Sequence, residues 1–379
     1  MRLMFCAIAA LLLASPAFAE DKAQDKPKPN TLTAKEIADG WLLLFDGETT
    51  FGWTTEGEVK VKDGQLFLDG DKKGASITCT TGFESFELTF DSYTAFVSPN
   101  GPTLGVGKLN SRFELEGAPV GVAVKNHLVW DTTKKVGKLT CDAEKRGKPD
   151  QPPSVQTRDI PGTGSQLIIS EIAGRSIGVR NVKLRPLNTS PLFAGKNLDG
   201  WKVNAADPKR MASKWEVTKD GELSLKNGPG DLVTEKEFDN FVLQLECKTL
   251  GDGLNSGVFF RCIPGQYQNG YEAQINNAII DKDRTKPKDA GTGAIYRRIA
   301  SRKVVSNDNE WFTLTVVADG KHIATWVNGY QTVDWIDDRK EDQNPRKGFR
   351  ATKGPISLQG HDPTTDILFR NIRIAELPK

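Results

Sequence analysis

The chain has 379 residues, with 51 Lys and Arg against 49 Asp and Glu, and three histidines. The two charge signs are interspersed, so no polybasic patch suits nucleic acid or anionic lipid. No CxxC, HExxH or similar ligand spacing occurs, which argues against structural zinc. No stretch nears the ~18 apolar residues of a spanning helix, so no membrane insertion is expected.

Arg2 precedes an apolar run from Leu3 to Leu13, then Pro16 and the small-residue exit Ala17-Phe18-Ala19. This pattern predicts a cleavable signal peptide over residues 1–19 and an exported chain, periplasmic or extracellular. Cys6 sits before the apolar run ends, which disfavours a lipoprotein anchor. Residues 20–38, polar and Pro-bearing at their start, are expected to form a disordered leader. From Trp41 onward short apolar or alternating runs are punctuated by Gly, Asp and Asn, and no amphipathic helical stretch of useful length appears. The chain reads as all-β.

An internal repeat divides it. LLLFDGETTFGW, ending at Trp53, matches SPLFAGKNLDGW, ending at Trp201. KDGQLFL from Lys62 matches KDGELSL from Lys219, and GFESFELTF, ending at Phe90, matches EFDNFVLQL, ending at Leu245. IGVRNVKLRPL from Ile177 matches ILFRNIRIAEL from Ile367. The order is the same in both halves, so two copies of one β-domain are expected: a diverged first sandwich over 39–187 and a second over 190–379.

The copies are unequal. Only the second carries NSGVFFR, GYEAQIN, TGAIY, VNG and ISLQGH. Alternation puts Gly257, Phe259 and Arg261 on one face of the first run, and Glu272, Gln274 and Asn276 together on the next. It also groups Trp326 with Asn328, and Gln359 with His361. Amides, a guanidinium, a carboxylate and aromatic rings on one outward face suit carbohydrate. The candidate catalytic residues are therefore Glu272, His361 and Arg261. The candidate substrate-binding residues are Gln274, Asn276, Gln359, Asn255, Tyr296, Trp326 and Asn328. Plainer readings stay open: an Arg261–Glu272 ion pair, solvated Gln274 and Asn276, His361 capping a loop, and Trp326 packing. The charged loops 281–289 and 337–347 either rim the groove or are ordinary solvated loops.

Hydrolytic glycosidases need two carboxylates at a defined separation, and on this strand only Glu272 is acidic. That leaves a lectin-like module, or an enzyme whose substrate is already activated. One such substrate is a 3-keto sugar, whose ketone acidifies the neighbouring C–H and lets one base drive elimination. Glu272 or His361 could be that base. Arg261, Gln274 or Gln359 could stabilise the enolate.

LFxGxxLxGW, NSGVFFR, GYEAQIN, TGAIY, VNG and ISLQGHD…ILFRNIRIAEL resemble the bacterial 3-keto-disaccharide hydrolase domain, over Pro191 to Leu377. The resemblance implies tandem concanavalin A-like, laminarinase-type jelly-roll β-sandwiches, the first diverged. It implies a carbohydrate partner and action on 3-keto-glycosides by hydrolysis or β-elimination. The family strand often carries an acid where this chain has Asn276. No cofactor is expected; analogy with laminarinase-type domains allows a structural calcium ion, although no acidic loop demands it. The alternatives are a non-catalytic carbohydrate-binding module and a surface scaffold. Cys247 and Cys262 are in phase with the apolar positions of neighbouring predicted strands, so a bridge or two separate buried thiols both fit. Oligomeric state is not legible.

Overall fold

The structure, a computed structural model, describes residues 28–70, 73–94, 102–107, 112–116, 122–143, 153–159 and 166–378. The expected signal peptide and Cys6 lie outside the described residues. The part of the expected leader that is described is folded: Thr33 caps the short helix Ala34–Ala38 through a capping box. Asn30 is buried and exchanges hydrogen bonds with Asn181, whose amide nitrogen donates to its Oδ1 at 2.8 Å. A polar composition does not keep a segment loose when its amides can complete a strand's open hydrogen bonds.

All other described elements are strands, apart from two 3₁₀ turns. Two hydrophobic cores form, one mainly from residues 42–184 and one from residues 193–374. Each lies between two sheets, as in a jelly-roll sandwich. In the second sandwich the site-bearing sheet runs in the order 201–203, 230–238, 354–360, 256–260, 271–275. The opposing sheet carries 241–249, 312–319, 322–327, 330–336 and 366–376.

The matching motifs do the same structural work. The Trp53 indole donates to the Leu44 carbonyl at 2.6 Å, and the Trp201 indole to the Leu192 carbonyl at 2.8 Å. Both pairs are nine residues apart and pin the entry to their sandwich. Asn181 and Asn371 both adopt a left-handed conformation, φ 55° and 52°. Each sits at an irregularity of the last strand and donates its side-chain amide to an acid on the neighbouring strand, Asp91 and Glu246. An Asn tolerates this backbone better than most residues.

The two sandwiches share backbone. Leu42–Leu43 pairs antiparallel with Ser176–Pro186 of the first and parallel with Tyr330–Ile336 of the second, making one continuous sheet. Trp326 fills this junction. It is 1% exposed, packs in the first core, lies 6.1 Å from the Phe83 ring, and donates to the Leu43 carbonyl at 3.3 Å. Trp326 is therefore a junction residue and not part of a sugar groove. Alternation had placed it outward correctly, but that outer surface is covered by the first sandwich.

Candidate functional site

The Ser256–Phe260 and Tyr271–Ile275 strands form the expected hairpin, with Phe259 opposite Glu272 and Gly257 opposite Gln274. Val258, Phe260, Tyr271, Ala273 and Ile275 enter the core. The other face, with Phe259, Glu272 and Gln274, lines a groove of about 440 Å³. The TGAIY motif supplies one wall. Its backbone bonds along the Glu272–Asn276 edge: Tyr296 donates to the Glu272 carbonyl at 2.9 Å and Gln274 to the Ala294 carbonyl at 3.0 Å. Asn255, Gln359, His361, Tyr296 and Arg346 complete the lining.

Gly257 makes room for Glu272. A Cβ on Gly257 would stand 2.6 Å from Glu272 Oε1 and 2.8 Å from its Cγ. The carboxyl lies across the bare backbone, 8% exposed, with no hydrogen-bond partner among the described residues. Burial disfavours its charged form and pushes its pKa up to about 8, against the pull of Arg346 and with some push from Asp289.

His361 approaches the same groove. Its Nδ1 pairs with Asp362 Oδ2 at 2.7 Å, and its Nε2 lies 3.4 Å from the Asn255 amide nitrogen. This arrangement suits the tautomer with Nδ1 protonated, leaving the Nε2 lone pair toward the groove. Asp362 is held below its usual range despite partial burial, by hydrogen bonds from Thr364 and His361. Asn255 also donates to Asp289 Oδ2 at 3.0 Å, as does Gln274 Nε2 at 3.0 Å. His361, Asn255, Asp289 and Gln274 thus form one polar chain along the groove.

Three further expectations fail. Arg261 does not face the groove: it is 1% exposed, and its guanidinium donates to the carbonyls of Asp239 (3.0 Å) and Gly320 (2.7 Å) and to Asn240 Oδ1 (2.9 Å). The strand ends at Phe260, and Arg261 turns to φ 47°, which breaks the alternation assumed through it. Asn276 is used locally, its Oδ1 accepting from the Ala278 amide at 3.0 Å. Asn328 sits at φ 48° in the turn after Val327, accepting from the Thr313 amide at 3.1 Å and donating to the Val305 carbonyl at 3.1 Å. Cys247 lies on the Phe241–Thr249 strand of the opposing sheet and Cys262 just past the end of Ser256–Phe260, so they are not strand neighbours, and all four described cysteines are buried free thiols.

Sequence reasoning missed Asp231, Asp289 and Arg346. Arg346 lines the groove from the 337–347 loop, whereas of the 281–289 loop only Asp289 reaches it, through Gln274 Nε2. Asp231 opens the Gly230–Phe238 strand opposite Gln359. It is fully buried, and burial lifts its pKa to about 7, against the Gln268 amide and Arg210. It stands three strands from Glu272 in the same sheet, and its charge adds to the rise of the Glu272 pKa. Among the described residues no group of three or more His, Cys, Asp or Glu could hold a metal ion.

Residues 188–375 match the family described as the 3-keto-α-glucoside-1,2-lyase-like domain. The matched stretch is the second sandwich, hereafter the lyase-like domain. The lyase-like domain also aligns with solved structures. A candidate glycosyl hydrolase of Parabacteroides distasonis is 29% identical over 50% of this chain and 100% of its own, with a TM-score of 0.38. A second from the same organism is 22% identical over 50% and 94%, with a TM-score of 0.41. A carbohydrate-binding module from Bacillus subtilis is 17% identical over 46% and 95%, with a TM-score of 0.33. No curated protein matches the chain.

Proposed function

We propose that the lyase-like domain cleaves 3-keto-glycosides by β-elimination in the Glu272–His361 groove. The observation that carries this is a pair of proton-handling groups in one cleft: His361, whose Nδ1 is held by Asp362 while Nε2 faces the Asn255 amide at 3.4 Å, and Glu272, kept neutral by burial. A 3-ketone makes the C2–H acidic. His361 Nε2 takes that proton, and the electron pair moves into the enolate and then forms C1=C2. The C1–O bond breaks, and the leaving oxygen takes a proton from Glu272. The products are an enone sugar and the free alcohol, with no water consumed. Asp362 steadies the imidazolium formed on His361. Arg346 at the groove supplies positive charge toward the developing enolate. The family match over residues 188–375 supports this reading.

We further propose that the first sandwich is a diverged copy retained as scaffold, since it keeps the Trp and Asn pins, and that the chain is exported. The test is incubation with a 3-keto-glucoside. Aglycone release, lost in Glu272→Gln and in His361→Ala, is expected. Binding of native sugars without any turnover would instead make this a carbohydrate-binding module.

A further inference from the structure

A second cleft of about 350 Å³ adjoins the first on the same sheet face. Two cross-strand pairs straddle the boundary. Phe259 lines the first cleft and its partner Ser357 the second; Gln359 lines the first and its partner Asp231 the second. Directly opposed residues on neighbouring strands stand ~5 Å apart, so a ligand leaving one cleft enters the other. Gln268 borders both. The 263–270 turn that carries it is fixed by the Gln268 amide donating to Asp231 Oδ2 at 3.2 Å and the Asn204 amide donating to the Gln266 carbonyl at 3.1 Å.

The clefts differ in chemistry. The first is lined by amides, His361, Glu272 and arginines. The second is walled by Val203, Val233, Ile263, Pro264 and Pro355, with Lys202, Glu235 and Glu237 also bordering it, and its described lining residues include no aromatic ring on which a pyranose could stack. Its floor holds two unanswered polar atoms. Asp231 Oδ1 and Ser357 Oγ are buried, in residues 0% and 1% exposed, and have no hydrogen-bond partner among the described residues. An unpartnered buried polar atom is costly, and a ligand hydroxyl or carbonyl would answer it.

We infer that the second cleft is the leaving-group subsite and takes an apolar aglycone bearing a hydroxyl or carbonyl, in preference to a second sugar. The inference rests on the lyase reading only for calling the occupant a leaving group. An aliphatic wall favours an aryl or alicyclic body, and the Asp231–Ser357 floor fixes its one polar substituent. The preferred ligands are then glycosides of ring-bearing alcohols.

Titration calorimetry on the full chain with methyl glucoside and phenyl glucoside, neither oxidised, tests this without turnover. The phenyl probe should bind at least about tenfold more tightly, because its ring removes more apolar surface from water. Val233→Asp should erase that advantage and leave methyl glucoside affinity unchanged. Equal affinities, an advantage that survives Val233→Asp, or no binding of either probe would overturn the subsite. Turnover of a 3-keto-glucoside without a phenyl advantage sinks the subsite and spares the lyase reading. A phenyl advantage lost in Val233→Asp, without 3-keto turnover, does the reverse.

Discussion

Glu272→Gln should make the protein more stable in alkali while destroying its chemistry. The Glu272 pKa rises from 4.5 to about 8 because the carboxyl is buried. The sign follows from proton counting. Below about pH 4.5 the group is neutral both folded and unfolded. Between 4.5 and 8 the folded chain keeps a proton that the unfolded chain has lost, so stability falls as pH rises. Above 8 both states are ionised and the loss is complete. A shift of 3.5 pH units at ~1.4 kcal/mol each amounts to roughly 4–5 kcal/mol. Gln keeps the shape and cannot titrate. The wild-type and variant stabilities should therefore nearly coincide at pH 5, within about 1 kcal/mol, and differ by about 4 kcal/mol in favour of the variant at pH 9. Urea unfolding followed by tryptophan fluorescence at pH 5, 7 and 9 reads both. A difference that stays flat across that range would refute an isolated buried carboxyl. A difference of opposite sign would mean that Arg346 holds Glu272 ionised.

Gly257→Ala places a methyl 2.6 Å from Glu272 Oε1 and should cut 3-keto-glycoside turnover at least about tenfold by displacing the carboxyl; steady-state kinetics check it. Arg261→Ala strands two carbonyls and an amide oxygen in the interior and should cost about 3–5 kcal/mol in chemical denaturation. Its folded fraction should still bind phenyl glucoside. Trp326→Ala should cost about 3–5 kcal/mol by emptying the junction, and hydrogen exchange should rise at Leu42–Leu43 while sugar affinity holds.

Much of the fold was legible because strand alternation and turn residues are local signals. The matching motifs were legible because Trp53 and Trp201, like Asn181 and Asn371, answer the same backbone demand twice. Glu272 and Gln274 on one strand, Gln359 on another and His361 just after it do line one groove, as alternation grouped them. It failed where phase was carried past a strand's end, as at Arg261, or where a turn consumed the side chain, as at Asn328. Trp326 failed for another reason: alternation gives a face, but not what covers it. Asp231, Asp289 and Arg346 reach the site from distant segments, and only the closed sheet and its loops show that they meet.

The shared Leu42–Leu43 strand bears on how the chain can be cut. A fragment beginning near residue 188 would keep the whole lyase-like domain in sequence, yet strip the parallel partner from Tyr330–Ile336 and uncover Trp326. That would leave an unpaired strand edge beside an exposed aromatic, a template for pairing with another molecule. In the intact chain Leu43 pairs with Tyr330 at that edge and the first core covers Trp326.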